Sequence, residues 1–199
     1  MSRIGFYGGA FNPPTEAHIE LAKISINEFK LDKIVFVPVN DLYKKAGMVS
    51  ALHRVNMLKL ICEKEKNLEV SDIELRNNVN YQAIDIFRKI EKEYNNDEIF
   101  FIMGADNLEK IPKWKDFQSL ISNYKYIILD RNEIRAEKII EGNETLRKHK
   151  ENFYIVKNMA YKDYSSTSIR NKLEEEEIIN GLDKDVYAYI KENKLYKSL

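Results

Sequence analysis

Arg3-Ile4-Gly5-Phe6-Tyr7-Gly8-Gly9-Ala10-Phe11-Asn12-Pro13-Pro14-Thr15-Glu16-Ala17-His18 joins a short apolar run to a stretch of helical period through a loop of special backbone residues. Arg3–Tyr7 has the length and the aromatic and β-branched content of a strand. Gly8 and Gly9 leave it as a pair, and without a Cβ they let the backbone approach a ligand closely. Pro13 and Pro14 fix the approach to Thr15, a residue type that caps helices. Ile19, Ala22, Ile26 and Phe29 then recur at spacings of three and four. Thr15 and His18 are about one turn apart, so both can face one point before the helix start, where unpaired N–H groups and the dipole attract an anion. A histidine there can donate to a phosphate oxygen. The alternative is a His18 satisfied by a carbonyl on a helix face, with glycines that merely turn the chain. The glycines, prolines and threonine gathered beside it favour the ligand.

Outward from that loop the pattern repeats. Lys33–Val37, Glu69–Ile73, Glu98–Met103, Tyr126–Leu129 and Phe153–Val156 are further candidate strands. Val55, Leu58 and Cys62, then Tyr81, Ile84, Phe87 and Ile90, keep a helical period. Strands alternating with helices predict an α/β chain, a mostly parallel sheet with helices on both faces. Glycine and proline number only seven and four. Gly8, Gly9, Pro13 and Pro14 follow the first strand, Pro38 the second and Gly104 the fourth. Special backbone positions therefore gather at carboxyl ends of strands, where open α/β sheets bind ligands.

The 199 residues suit one compact domain, 1–199, with a small helical portion over about 165–199. Thirty-two basic and thirty-two acidic side chains balance, which argues against a dedicated nucleic-acid binder. No apolar run reaches the roughly 20 residues of a membrane span. Met1-Ser2-Arg3-Ile4-Gly5-Phe6 lacks a signal peptide's apolar stretch. Cys62 alone forms no internal disulfide, and three histidines offer little for a zinc site. The expected location is the cytoplasm. Lys148–Glu151 and Lys172–Glu177 are read as solvated helix faces.

Three further stretches carry chemistry. Tyr164-Ser165-Ser166-Thr167-Ser168-Ile169-Arg170 places hydroxyls at a helix start and a planar, always charged fork a turn inside, a phosphate site or an ordinary capped helix. Gly104-Ala105-Asp106-Asn107-Leu108 follows an apolar strand; Asp106 can accept from ribose hydroxyls. Trp114 beyond it offers a flat face to an aromatic base or fills the core. Lys44 and Lys45 are loop bases, solvated or phosphate-bound, and His53 is structural or catalytic. The first loop is neither G-x-x-x-x-G-K-[ST] nor G-x-G-x-x-G, and no G-x-S-x-G or H-E-x-x-H occurs.

Together these segments resemble the nucleotidyltransferase superfamily with the [T/H]-x-G-H motif, and within it the bacterial nicotinate mononucleotide adenylyltransferases, enzymes of NAD biosynthesis. The first loop, Ser165-Ser166-Thr167-Ser168-Ile169-Arg170 (the family's S-S-T-x-I-R) and Gly104-Ala105-Asp106 with Trp114 (its G-x-D…W) carry the likeness, which extends to Tyr189-Ile190-Lys191-Glu192-Asn193-Lys194-Leu195-Tyr196. Asn12 and Thr15 stand where the usual bacterial form has Asp and His, Ala17 replaces a glycine, and Leu42-Tyr43-Lys44-Lys45 keeps only the terminal base of a Pro-Pro-His-Lys-like segment. The resemblance implies a Rossmann-like nucleotidyltransferase domain that moves AMP from ATP to nicotinate mononucleotide. ATP would meet Gly8, Gly9, Ala10, Phe11, Thr15, His18, Gly104, Asp106, Ser165, Ser166, Thr167 and Arg170. The pyridine nucleotide would meet Asn12, Lys45, Tyr81, Gln82 and Trp114, and Arg131 would lie near adenine. His18, Arg170 and Lys45 would be catalytic. Mg²⁺ would be held mainly by substrate phosphates, with no protein metal ligands. Gln82, in Asn80-Tyr81-Gln82, replaces the family's threonine and suits a carboxylate or a carboxamide. Nicotinamide mononucleotide or phosphopantetheine as acceptor, and a regulator without turnover, stay as alternatives; a homo-oligomer is left open.

Overall fold

Alternation along the strands divides the apolar residues between two faces of one sheet. In β1 (Arg3–Gly9) Phe6 and Tyr7 fall on opposite sides. In β4 (Glu98–Gly104) Phe101 and Met103 oppose Phe100 and Ile102, and in β5 (Lys125–Leu129) Tyr126 and Ile128 oppose Ile127 and Leu129. With β2 (Lys33–Pro38), β3 (Leu68–Val70) and β6 (Phe153–Val156) these form a six-stranded sheet in the order β3-β2-β1-β4-β5-β6, every pair parallel. The structure is a computed structural model and describes residues 1–43, 47–76, 79, 81–130, 135–157, 164–173 and 179–196.

The helices are α1 (Glu16–Phe29), α2 (Ala51–Cys62), α3 (Ala83–Glu93), α4 (Ala105–Leu108), α5 (Phe117–Asn123), α6 (Ala136–Gly142), α7 (Glu144–Lys148), α8 (Ser166–Lys172) and α9 (Lys184–Glu192). Ala22 of α1, Leu58 of α2, Ile169 of α8 and Val186 of α9 share one apolar cluster with Phe36, Phe100 and Ile127. Ile84, Leu108, Leu120, Ile140 and Leu146 of α3 to α7 share the other with Val35, Phe101 and Ile128. A Rossmann-like α/β sandwich results. The C-terminal helices close the first face: α9 meets α2 where the Tyr189 hydroxyl lies 2.9 Å from His53 Nδ1 and 3.0 Å from Asn56 Nδ2. His53 is thus a helix–helix contact, the structural of its two readings.

Several boundaries differ from expectation; β2 and β4 end, and β5 begins, one residue beyond the expected strand. β1 continues through Gly8 and Gly9, which pair with Val37 and Pro38. The strand expected over Glu69–Ile73 is Leu68–Val70: Ser71 N–H still donates to Phe36 at 2.8 Å, but Ser71 Oγ then accepts Ile73 N–H at 3.2 Å, turning the chain and sending Ile73 into the second cluster. Tyr81 precedes α3, because Gln82 is its N-cap. β1 has β2 on one side and β4 on the other, so the sheet changes its direction of growth there, the place at whose carboxyl ends open α/β sheets bind ligands. Among the described residues no helix is long and apolar enough to cross a membrane.

Candidate active site

His18 sits in the first turn of α1 with its ring largely buried, edge-on to Phe11 at 5.2 Å. Thr15 caps that helix, and its backbone N–H donates to His18 Nδ1 at 3.1 Å, with Thr15 Oγ1 2.8 Å from the same nitrogen. An amide can only donate, so Nδ1 is an acceptor and the neutral ring carries its proton on Nε2. Two amides of the α1 tip are engaged within the protein: Glu16 N–H donates to the Gly181 carbonyl at 2.9 Å and His18 N–H to Thr15 O at 3.0 Å. To that tip the first turn adds the His18 imidazole. Thr15, 1% exposed, serves that imidazole.

α8 docks on the same loop. Ser166 Oγ donates to the Pro13 carbonyl at 2.8 Å, and Arg170 Nη1 donates to the Asn12 carbonyl at 2.7 Å. Arg170 Nη2 donates to Thr167 Oγ1 at 3.2 Å, and Ser165 Oγ caps the helix by accepting Ser168 N–H at 3.1 Å. The guanidinium has five N–H donors, so bracing it this way leaves others for an anion. His18 and Arg170 are consequently anchored to one loop, by Thr15 and by Asn12.

Several residues expected to meet a ligand also hold that loop. Phe11, 2% exposed, packs edge-on against Tyr7 and Phe36, and a Cβ on Gly9 would lie 2.9 Å from its ring. Gly9 thus makes room for Phe11, whereas a Cβ on Gly8 would meet open space. Asn12 is 3% exposed, and its carboxamide bonds Gly47 O at 2.9 Å, Val49 N–H at 3.1 Å and the Tyr196 hydroxyl at 2.8 Å. The Asn12 side chain is thus part of the framework that holds the loop. The Ala10 carbonyl accepts Arg54 Nη1 at 2.9 Å.

Arg54 is the main residue the sequence reading passed over. It is fully buried, and it also donates to Val49 O at 3.0 Å and Val39 O at 2.6 Å, tying together the segments that leave β1 and β2 and enter α2. Burial lowers its pKa, with Asp41 at 3.4 Å opposing the shift, but a guanidinium stays charged. The readable signal was its place on the buried stripe of α2 with Val55, Leu58 and Ile61. Asn40 is a second such hub: its Nδ2 donates to Val79 O at 2.7 Å and its Oδ1 accepts Leu42 N–H at 2.9 Å. Burial pushes the nearby Glu74 carboxyl up to about 7, against the Asn40 backbone N–H and Arg54.

At the other end, Gly104 finishes β4 as the N-cap of α4, with Asp106 in its first turn. Half-buried Trp114 follows the short turn Ile111–Lys113 and packs on the second cluster. Tyr81 carries Lys89 Nζ 3.6 Å from its ring centroid, so one face of that ring is taken. Gln82 is exposed at the start of α3, its N–H donating to Asp85 Oδ2 at 3.1 Å. Lys44, Lys45, Asn80 and Arg131 lie outside the described residues.

A parallel sheet with this switch point, and a histidine and an arginine fixed to its first loop, define the class of nucleotidyltransferases, and the family model described as cytidylyltransferase-like matches residues 6–172. Within that class the resemblance holds at closer range. A protein of Acholeplasma laidlawii described as a "probable nicotinate-nucleotide adenylyltransferase" is 32% identical over 97% of this chain and 97% of its own length. One of the same description from Clostridium acetobutylicum is 31% identical over 98% of this chain and all of its own. The chain belongs to the nicotinate-nucleotide adenylyltransferase family. The solved nicotinic acid mononucleotide adenylyltransferase of Plasmodium falciparum, complexed with NaAD, shares the fold, with a TM-score of 0.79 at 21% identity over 98% of both chains.

Proposed function

We propose that this chain, as a single nucleotidyltransferase domain, transfers AMP from MgATP to nicotinate mononucleotide, giving nicotinate adenine dinucleotide and pyrophosphate. The observation that carries this reading is the anchoring of His18 and Arg170 to neighbouring residues of one loop, Thr15 at 3.1 Å and Asn12 at 2.7 Å. A 5′-phosphate oxygen of the mononucleotide attacks the α-phosphorus of ATP, and the bond to the β-phosphate oxygen breaks, releasing pyrophosphate with that electron pair. The attacking phosphate is already ionised, so neither a covalent intermediate nor a general base is required.

Catalysis is then positioning and charge neutralisation. His18 Nε2–H donates to the α-phosphate. Arg170, with Lys45, holds the leaving pyrophosphate, and Ser165, Ser166 and Thr167 set the start of the helix that bears Arg170. Gly8 gives the phosphates backbone access, and Gly104 and Asp106 receive the ATP ribose. Trp114 stacks on the pyridine, and Gln82 and Tyr81 lie at its carboxylate. Among the described residues no group of three or more His, Cys, Asp or Glu could hold a metal. Mg²⁺ enters as part of the substrate, coordinated by phosphates and water.

Pyrophosphate release from ATP and Mg²⁺ tests the reading with three acceptors in parallel: nicotinate mononucleotide, nicotinamide mononucleotide and phosphopantetheine. Turnover led by nicotinate mononucleotide is the expected result. Turnover with phosphopantetheine alone would remove the pyridine assignment, and tight ATP binding without turnover on any acceptor would make the chain a nucleotide-binding regulator.

A further inference from the structure

Tyr196 follows α9 in the last described turn, 184 residues from Asn12, and its phenol donates to Asn12 Oδ1 at 2.8 Å. Val49 N–H donates to the same oxygen at 3.1 Å, and Asn12 Nδ2 donates to Gly47 O at 2.9 Å. Turned over, the carboxamide would set its NH₂ against the Val49 N–H and its oxygen against the Gly47 carbonyl, so these two bonds select the orientation in which the phenol donates. The carbonyl of the same residue receives Arg170 at 2.7 Å. Burial raises the Tyr196 pKa, which keeps the phenol a donor. The turn that delivers it has Lys194 and Tyr196 at φ of 52° and 58°, a left-handed backbone that costs non-glycine residues energy and persists only where its surroundings determine it.

We propose that Tyr196 is a positioning residue for adenylyl transfer: by holding Asn12 in one orientation, the C-terminal turn fixes the carbonyl that aims Arg170 and ties the loop after β1 to Gly47–Val49. The proposal rests on the function stated above. Misplacement of a catalytic group by about 1 Å can cost up to ~10²-fold in rate. Removing one bond of a three-bond lock, with the ring retained, falls below that limit.

Tyr196→Phe tests it, since the phenyl ring preserves the packing. The expected result is a thermal transition close to wild type, kcat lowered about tenfold with KM for nicotinate mononucleotide little changed, and faster hydrogen exchange at the Val49 amide. Asn12→Ala removes the acceptor from the other side, so adding Tyr196→Phe to it should cost nothing more; additive losses would overturn the proposal. Tyr189→Phe deletes another phenol O–H of the C-terminal helix, one that faces α2, and should leave kcat unchanged. Equal losses in Tyr189→Phe and Tyr196→Phe would reduce Tyr196 to an anchor for α9 and overturn it as well. Absence of wild-type turnover would strike the functional reading itself. Exchange at Val49, with calorimetric affinity for an ATP analogue carrying a non-cleavable α,β linkage, then decides separately: both unchanged in Tyr196→Phe defeats the positioning role.

Discussion

The Thr15 backbone N–H donates to His18 Nδ1 at 3.1 Å, which leaves the ring proton on the opposite nitrogen. A backbone amide in the cap of a helix is a rigid partner, so ring orientation and tautomer are set before any ligand arrives. His18→Ala should therefore lower kcat by ~10²–10³, the usual cost of one transition-state donor, with a smaller change in KM for ATP. Steady-state kinetics at saturating ATP measures it. A near-normal kcat would show that the imidazole only fills space beside Phe11.

Arg170 divides its fork between the Asn12 carbonyl and Thr167 Oγ1. A lysine keeps the charge but not the planar geometry that spans both. Arg170→Lys should lose ~10² in kcat, and Arg170→Ala at least as much. Recovery of most activity in the lysine variant would mean that charge alone suffices and that the Asn12 contact is incidental.

The fold was legible because its signals are local. Period-two apolar strands and period-three-to-four helices alternate along the chain, and Gly8, Gly104 and Pro38 mark carboxyl ends of strands. His18 and Arg170 were legible through the residues around them, a cap in one case and a run of hydroxyls in the other. What escaped was the framework: Arg54, Asn40 and Tyr196 act on carbonyls and amides distant in sequence, and backbone groups have no letter in the sequence. For the same cause the packing of the Asn12 and Phe11 side chains within the first loop was not legible. In the first loop the side chains that hold the backbone sit beside more exposed ones in sequence. Burial, which no short motif reports, separates the two.

Arg54 supports three carbonyls, Ala10, Val39 and Val49, from a fully buried position. Each acceptor left dry and unpaired costs about 1–3 kcal/mol, with some relief where water enters. Arg54→Met, similar in length and apolar, should destabilise the chain by about 3 kcal/mol or more in urea denaturation. Arg147→Met, which loses an exposed bond to Glu141 O, should change stability by less than about 0.5 kcal/mol. Equal effects would mean that the Arg54 carbonyls find other donors.

A Cβ on Gly8, the last residue but one of β1, would meet open space, whereas one on Gly9 would strike the Phe11 ring. Gly8→Ala should therefore fold and melt much as wild type does. If phosphate oxygens approach that strand end, the added methyl removes a backbone contact to a charged group, worth about 1.5–3 kcal/mol, or roughly ten- to a hundredfold in ATP affinity. Calorimetric titration with ATP reads this directly, and unchanged affinity would move the triphosphate away from Gly8.

Glu74 gives the chain a defined pH response. Burial pushes its carboxyl up to about 7 from 4.5, against the opposing pull of the Asn40 N–H and Arg54. Between those two values the folded chain keeps the proton while the unfolded chain has released it, so the unfolded state binds fewer protons and stability falls as pH rises. The Glu74 contribution is therefore flat below the unfolded value, declines through the window, and is flat again above about pH 7. Its full size is on the order of 3 kcal/mol. Glu74→Gln carries no such titration, so its stability relative to wild type should improve from pH 4 to pH 8 by a quantity of that order, with every other group cancelling in the comparison. Urea denaturation of both proteins across that range measures the difference. A relative loss for the glutamine variant at high pH would reverse the sign, and would mean that Arg54 and the Asn40 amide outweigh desolvation and stabilise an ionised Glu74.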